Sequence, residues 1–173
     1  RRVARRNLAL CLPEIAESER ERILRAHFRA VGITVCETAL IWWGSNEKVL
    51  SLVRMEGLEH VDRLLAAGRG VILLAAHFTT LEISAGIFTR TRDAHAVYKP
   101  SKNALVNHLF ETRRGAVSAG MIRRDDMRAM IRVLKGGGIV WYSPDQAFRG
   151  KGAEMVPLFG VPANLDIYGT MNT

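Results

Sequence analysis

The sequence has 173 residues, 48% of them hydrophobic, and its 25 Lys and Arg residues outnumber 17 Asp and Glu residues to give a formal net charge of +8. This apolar content excludes an intrinsically disordered chain, because a core of ordinary size can form. At this length about 70% of the surface of the unfolded chain is buried on folding, so we predict a single domain over residues 1–173. Two cysteines, Cys11 and Cys36, are too few for a disulfide framework and are typical of a reducing compartment.

The apolar runs of the sequence are short. Val71–Ala76 and Ala39–Trp43 are the longest, whereas about 20 apolar residues are needed to cross a bilayer. We therefore predict no membrane-spanning segment and no secretory signal within these residues. Because the sequence starts at Arg1 without a methionine and stops at Thr173 before a terminal element is complete, we expect a fragment of a longer protein.

The first predicted elements are a turn and a long helix. Residues 1–6 include four arginines, and Leu8–Pro13 predicts a turn. Ser18 and Glu21 have the spacing of a capping box, which predicts that a helix follows, from about Glu19 to Trp43. The apolar stripe that we expect this helix to bury contains Leu24, Phe28, Val31, Val35 and Trp42.

Helices and strands then alternate, with glycines at several of the changes. The predicted elements are a strand near Val53–Glu56, a helix from about Glu59 to Ala67, a strand over Val71–Ala76, a helix from about Thr80 to Phe88, a strand over His95–Tyr98, helices over Lys102–Arg113 and Asp126–Lys135, and a strand over Gly138–Tyr142. This alternation predicts an α/β fold, a mostly parallel or mixed sheet flanked by helices.

Chemically capable residues follow three of the predicted strands. His77 follows Val71–Ala76, Lys99 follows His95–Tyr98, and Ser143-Pro144-Asp145-Gln146 follows Gly138–Tyr142. Ligands of open α/β sheets bind beyond the carboxyl ends of the strands. If the three strands are parallel, we expect these groups to share one edge of the sheet.

The segment His77-Phe78-Thr79-Thr80-Leu81-Glu82 is the strongest candidate for catalysis. On a continuous helix the two end residues point about 140° apart, so they meet only if His77 lies in the preceding turn. Glu82 then accepts a hydrogen bond from one ring nitrogen while the other removes a proton from a substrate hydroxyl. The alternative is structural, because Thr79 and Glu82 also have the spacing of a capping box.

Several short blocks occur in a fixed order along most of the chain. They are Arg2-x-x-x-Arg6-Asn7-Leu8 with Leu12-Pro13-Glu14, HFTTLE after VILLAA, Tyr98-Lys99-Pro100 with Asn103, Arg113-Arg114-Gly115, and Pro144-Asp145-Gln146. Over about Arg2 to Pro162 this combination resembles the late acyltransferases of lipid A biosynthesis, the lauroyl and myristoyl transferases of the lysophospholipid acyltransferase superfamily.

The resemblance implies a truncated glycerolipid-acyltransferase-like fold and an enzyme that moves a fatty acyl chain from acyl carrier protein to a hydroxyl of a lipid A precursor. It implies His77 and Glu82 as the catalytic pair of an HxxxxD/E motif, with no cofactor and no metal. The substrate-binding residues expected on the same basis or from their charge are Lys99, Asn103, Arg113, Arg123, Arg124, Asp145 and Gln146. Lys99 replaces an arginine of the family pattern, which keeps the charge but loses the bidentate fork.

The family likeness also implies a location at the cytoplasmic face of the bacterial inner membrane, anchored through a segment absent from this chain. Arg1, Arg2, Arg5 and Arg6 would then face anionic lipid. Trp42-Trp43 suits either the membrane interface or the core. The cations of Arg113-Arg114 and Arg123-Arg124 suit phosphates, the acidic carrier protein or a solvated basic surface, and Asp145-Gln146 suits either substrate contact or a structural turn.

Several other chemistries are disfavoured. The chain has no G-x-S-x-G elbow, and Cys11 and Cys36 lie far in sequence from the predicted edge, so direct acyl transfer is favoured over a covalent intermediate. The triplet Gly136-Gly137-Gly138 follows a helix, so it predicts a helix C-terminus, and the remaining histidines have no metal-ligand spacing. Two alternatives stay open: a glycerolipid (lysophosphatidate) acyltransferase, and a basic nucleic-acid-binding module, which we disfavour because only 7% of residues are aromatic.

Overall fold

The computed structural model describes residues 1–146 and 153–166, and the chain divides into two compact units. Unit 1 comprises Arg1–Cys36 together with the described part of Pro144–Thr173, and unit 2 comprises Glu37–Ser143. The boundary falls inside a long helix, between Cys36 and Glu37.

In the described residues the helices are α1 (Arg2–Cys11), α2 (Glu17–Trp43), α3 (Asn46–Ser51), α4 (Leu58–Ala66), α5 (Leu81–Phe88), α6 (Ala104–Gly115) and α7 (Met127–Lys135). The strands are β1 (Val71–Leu74), β2 (Ala94–Tyr98), β3 (Gly120–Arg123), β4 (Ile139–Tyr142), β5 (Ala153–Leu158) and β6 (Val161–Asp166).

Unit 2 is built on a parallel four-stranded sheet with the order β1-β4-β2-β3. Val71 pairs with Ile139, and His95 pairs with both Val140 and Gly120. Parallel strands need crossover connections, which here run through helices. The predicted α/β fold with a mostly parallel sheet is therefore confirmed.

Both faces of this sheet are covered. Ile139 and Val140 are 1% and 0% exposed although neighbouring strand residues point to opposite faces. Ile139 joins a cluster with Val61 of α4 and Phe88 of α5, whereas Val140 joins a cluster with Met130 of α7. The near-continuous apolar sequence of β4 follows from burial on both sides.

Glycines of unit 2 allow neighbouring elements to pack closely against the backbone. A Cβ on Gly86 of α5 would lie 2.5 Å from Cγ2 of Ile41, so α5 packs directly on the end of α2. The predicted helix end at Gly136–Gly138 is confirmed, because Gly136 is the C-cap of α7 and Gly137 has a left-handed φ of 77°.

Unit 1 contains α1, the first part of α2 and a hairpin. Strands β5 and β6 are antiparallel, and Phe159 and Gly160 between them have φ of 51° and 74°, the left-handed backbone that tight hairpins require. Arg5 of α1 pairs with Glu21 of α2. An apolar cavity of 540 Å³ in this unit is lined by aliphatic residues of these elements, among them Leu8, Leu12, Leu24 and Val161.

Four local predictions were wrong. No strand forms near Val53–Glu56, because a short helix, α3, takes the preceding residues and a loop follows it. The predicted turn over Leu8–Pro13 begins late, since α1 continues to Cys11. The strand predicted over Val71–Ala76 ends at Leu74. The predicted capping box does not form, because α2 already begins at Glu17 and the carboxylate of Glu21 accepts from Arg5 instead.

The predicted apolar stripe of α2 is only partly buried. Leu24 is fully buried and Trp42 half-buried, whereas Phe28, Val31 and Val35 are 40%, 40% and 69% exposed. In the described part of the chain, the apolar residues in the middle of α2 are therefore exposed and not part of a core. Among residues 1–146 and 153–166, no helix has both the length and the hydropathy of a membrane-spanning segment.

Candidate active site

The carboxyl ends of the four parallel strands bring the predicted groups of unit 2 to one edge of the sheet. His77 follows β1, Lys99 follows β2 and Arg124 follows β3. The side chains of His77 and Lys99 are exposed. Ser143 follows β4, the strand that lies between β1 and β2 in the sheet.

His77 lies in a tight turn between β1 and α5. The amide of Ala75 still donates to the carbonyl of Tyr142, at 2.8 Å, which continues the pairing of β1 with β4. The amide of Phe78 then donates back to the carbonyl of Ala76, also at 2.8 Å, so His77 is the central residue of a three-residue turn. This is the placement that an imidazole needs to reach solvent beyond the sheet.

Glu82 lies in the first turn of α5, where a carboxylate interacts favourably with the helix dipole. The N-cap of α5 is Thr80, and it makes no side-chain capping bond. The carboxylate has other partners, and its side chain is only 16% exposed.

Those partners come from α6 and from the end of α2. Arg114 binds both oxygens of Glu82: its Nε donates to Oε1 and Oε2 at 3.0 and 3.1 Å, and its Nη2 donates to Oε2 at 2.5 Å. The indole Nε1 of Trp42 donates to Oε1 at 3.0 Å. Charge-assisted bidentate bonds of this kind are among the stronger hydrogen bonds of proteins.

Aromatic rings support both donors. The ring of Trp42 packs edge-on against Phe110 of α6, with 5.6 Å between centroids, and Cζ of Arg114 lies 4.3 Å from the centroid of Phe110. Phe110 and Arg114 are one helical turn apart on α6, so they share a face. Three helices, α2, α5 and α6, therefore meet at the Glu82 carboxylate.

A half-buried arginine, Arg90, secures the junction of α2 and α5. Arg90 donates to the carbonyl of Gly86 at 2.8 Å and to the carbonyl of Ile41 at 2.5 Å. Burial lowers the pKa of Arg90. Its Nε also donates to Oδ1 of Asn46 at 2.8 Å, so all three nitrogens of the guanidinium have an acceptor. Ile41 directly precedes Trp42, so this link fixes the backbone that presents the indole to Glu82.

The structure gives several predicted substrate-binding residues structural contacts. Asn103 is the N-cap of α6, where its Oδ1 accepts from the amide of Val106 at 3.2 Å. Arg113 places Cζ 5.0 Å from the ring centroid of Trp43. Arg123 pairs with the exposed Asp125, and this hydrogen bond holds the pKa of the Asp125 carboxyl below its ordinary value.

The remaining predicted residues are placed as follows. The backbone amide of Arg124 donates to the carbonyl of Tyr98 at 2.9 Å, which extends the β2–β3 pairing to the carboxyl edge. Asp145 is half-buried and Gln146 is exposed, and both belong to unit 1. In residues 1–146 and 153–166 no three His, Cys, Asp or Glu side chains converge as metal ligands.

Sequence reasoning did not connect Trp42 and Arg114 to Glu82. For the pair Arg113-Arg114 it predicted cations that bind phosphates or the carrier protein, or else a solvated basic surface. The i, i+4 spacing of Phe110 and Arg114 is the signal that could have distinguished Arg114 from Arg113. A cation that stacks on an aromatic ring of its own helix faces the packed side of that helix.

Comparison with known proteins decides the family. The family model of the bacterial lipid A biosynthesis acyltransferases matches residues 1–170. The chain belongs to this family. The resemblance inferred from the order of the sequence blocks is thereby confirmed.

Curated members of the family align along nearly the whole chain. The chain is 34% identical to a lipid A biosynthesis lauroyltransferase of Escherichia coli over 169 residues, which are 98% of the chain and 55% of the relative. It is 36% identical to a lipid A biosynthesis acyltransferase of Haemophilus influenzae, over 92% of the chain and 51% of the relative. It is 32% identical to a lipid A biosynthesis palmitoleoyltransferase of Escherichia coli, over 92% of the chain and 52% of the relative. The chain thus spans about half the length of the curated relatives it matches.

Proposed function

We propose that this lipid A acyltransferase family member transfers a fatty acyl chain from acyl carrier protein to a hydroxyl of a lipid A precursor, with His77 as general base and Glu82 as its partner carboxylate. The observation that carries the proposal is the position of the HxxxxE segment. His77 occupies the turn at the carboxyl edge of a parallel sheet, and Glu82 follows in the first turn of the next helix.

The chemistry of the transfer suits an exposed imidazole. His77 removes the proton of the acceptor hydroxyl while its oxygen attacks the thioester carbonyl of the acyl donor. A carbon–oxygen bond forms, the carbon–sulfur bond breaks, and the imidazolium returns the proton to the departing thiolate. Positioned base catalysis contributes typically ~10²–10⁴-fold to such reactions, and stabilisation of the oxyanion adds about 10²–10³-fold per donor.

Cations of the carboxyl edge suit the negative groups of both substrates. Lys99 follows β2, Arg123 ends β3 and Arg124 follows β3. A phosphorylated saccharide or the carrier's phosphopantetheine would approach this edge. We assign these three, with Arg113, Asn103, Asp145 and Gln146, to substrate binding in the proposed enzyme. The contacts of Asn103 and Arg113 described above give these two a structural role as well.

Exposed apolar residues at the same edge support lipid contact. Leu74 at the end of β1, Phe78 beside His77 and Leu105 in the first turn of α6 are 65%, 74% and 69% exposed. With a net charge of +8, such a surface suits an anionic membrane and an acidic carrier protein. We therefore propose that the protein works at the cytoplasmic face of the bacterial inner membrane.

The test is a radiolabelled transfer assay with the protein expressed from its complete reading frame. His77→Ala and Glu82→Ala should each lower transfer from acyl carrier protein to lipid A precursor by about 10²-fold or more, with unchanged circular dichroism. Correctly folded His77→Ala with full activity contradicts the mechanism. A preference for lysophosphatidate over the lipid A precursor would favour a glycerolipid acyltransferase instead.

A further inference from the structure

The carboxylate of Glu82 is held from two helices other than its own. Arg114 of α6 meets both oxygens through Nε and Nη2, and Trp42 of α2 meets Oε1 through its indole. A planar guanidinium that binds both oxygens fixes the plane of the carboxylate. The indole then distinguishes one oxygen from the other, so these contacts select one rotation of the side chain.

We propose that Arg114 and Trp42 are positioning residues for acyl transfer, which hold Glu82 in a single orientation at the start of α5, directly after the turn that carries His77. The inference rests on the proposed function, since the orientation of Glu82 matters to catalysis only if His77 is the base. It assigns to Arg114 a role different from that of a substrate-binding cation.

The charge balance at Glu82 explains why orientation is the important property. The guanidinium of Arg114 lies within hydrogen-bond distance of both carboxylate oxygens, so the pair presents little net charge to its surroundings. A neutral pair gives an imidazolium little electrostatic stabilisation, but a fixed acceptor still selects the tautomer and ring orientation of a histidine. Lysine at position 114 would keep the charge and lose the plane.

The surroundings of Arg114 differ from those of its neighbour. The side chain of Arg114 is 30% exposed and lies against Phe110. The guanidinium of Arg113 instead lies over Trp43, an aromatic residue that is 59% exposed. Adjacent residues on a helix point about 100° apart, so only one of the two can face the junction of α2, α5 and α6.

The indole of Trp42 both packs against aromatic rings and donates a hydrogen bond to Glu82. One substitution tests the hydrogen bond apart from the packing. Trp42 lies edge-on against Phe110 and also against Trp43, at 5.6 Å between centroids in each case. Trp42→Phe keeps an aromatic ring in this position and removes only the Nε1–H donor. Arg114→Lys is the corresponding conservative change for the guanidinium.

The experiment measures kcat and KM for acyl transfer by the protein expressed from its complete reading frame. Arg92→Met is the matched control, because Arg92 also makes a bidentate pair in unit 2, with Asp62 at 2.7 Å through both Nε and Nη2. A loss of precise alignment costs about 10²-fold in rate. We therefore expect kcat to fall about 10²-fold in Arg114→Met, to stay low in Arg114→Lys and to fall less in Trp42→Phe, with KM within about twofold of the unsubstituted protein and Arg92→Met unaffected.

A second readout does not depend on activity. The indole N–H resonance of Trp42 is identified in a ¹H–¹⁵N spectrum by its loss in Trp42→Phe. It should move in Glu82→Gln and in Arg114→Met, because both substitutions alter the acceptor that the indole meets. It should keep its position in Arg92→Met.

Three outcomes overturn the inference. A raised KM with unchanged kcat in Arg114→Met would make Arg114 a substrate-binding residue, and equal losses in Arg114→Met and Arg92→Met would make the effect a general loss of stability. Full rescue by Arg114→Lys would show that charge alone suffices. If Arg114→Met does not fold, Trp42→Phe and Arg114→Lys provide the same test.

Failure of the proposed function gives a different result. A folded and fully active His77→Ala protein refutes His77 as the base, whereas normal kcat in Arg114→Met refutes this inference alone.

Discussion

The contact between β3 and β2 at Gly120 allows a sharp test of how these two strands pack at the amino end of the sheet. A Cβ added to Gly120 would lie 2.8 Å from Cδ2 and 3.2 Å from Nε2 of His95, the residue paired with it across the sheet. Contacts below 3.0 Å essentially do not occur for real Cβ atoms, so the imidazole or the strand must move. This overpacking should cost about 1–3 kcal/mol, as in other well-packed interiors.

The assay is thermal unfolding of Gly120→Ala, with Gly115→Ala as the matched control. A cost of 1–3 kcal/mol lowers Tm by roughly 2–12 °C at this chain length, since each kcal/mol shifts Tm by about 2–4 °C. Gly115 ends α6 and an added Cβ meets nothing within 4 Å, so alanine there should raise stability by up to ~1 kcal/mol.

A double substitution separates steric overlap from a general intolerance of Ala at this position. In the background of His95→Ala, the added methyl of Gly120→Ala meets no imidazole, so the cost of the second change should fall to near zero. An undiminished cost in this background, or equal effects of Gly120→Ala and Gly115→Ala, would refute the packing argument.

Two further predictions concern stability. Met130 is 1% exposed in the cluster that covers one sheet face. Met130→Ala should lower the free energy of unfolding in urea by about 2–5 kcal/mol. A loss below ~1 kcal/mol would mean that α7 is not held by this contact. The hydrogen bond from Arg92 is the largest influence on the Asp62 carboxyl and, together with the weaker attraction of the Arg92 charge, outweighs desolvation, so the pKa lies below its ordinary value of 3.8. A carboxyl with a depressed folded-state pKa stabilises the fold above the unfolded pKa and loses that contribution as pH falls through the folded value. Arg92→Gln should therefore reduce Tm at pH 7 and have little effect near pH 2, and an equal effect at both pH values would contradict the pairing.

Most elements of unit 2 could be predicted from the sequence because their signals are local. The strong helices α4 and α7 begin and end within about two residues of their predicted bounds, and glycine marks the end of α7. The weak elements were missed for physical reasons. Strand β3 has four residues, starts at a glycine and contains a single β-branched residue, so its sequence signal is weak. It is stabilised by tertiary contacts, namely its pairing with β2 and the burial of Ile122 against Met130 of α7.

The middle of α2 shows the opposite error. Its apolar residues have helical spacing, and the sequence therefore predicted burial, but Val35 is 69% exposed. Periodicity reports which residues share a face of a helix and carries no information about whether another element covers that face. The same limit applies to Trp42 and Trp43, of which the first is half-buried and the second 59% exposed.

Some features of the candidate site could likewise be predicted from the sequence, and others only from the tertiary structure. The sequence by itself determined the family, the α/β alternation and the position of His77 after a buried strand, because these depend on residue order and on local apolar patterns. Only the tertiary structure decided what holds Glu82, since Trp42 and Arg114 lie 40 and 32 residues from it along the chain. Hydrogen bonds between side chains that are remote in sequence form where helix packing brings three surfaces together, and the packing of α2 and α6 around α5 is a property of the whole core.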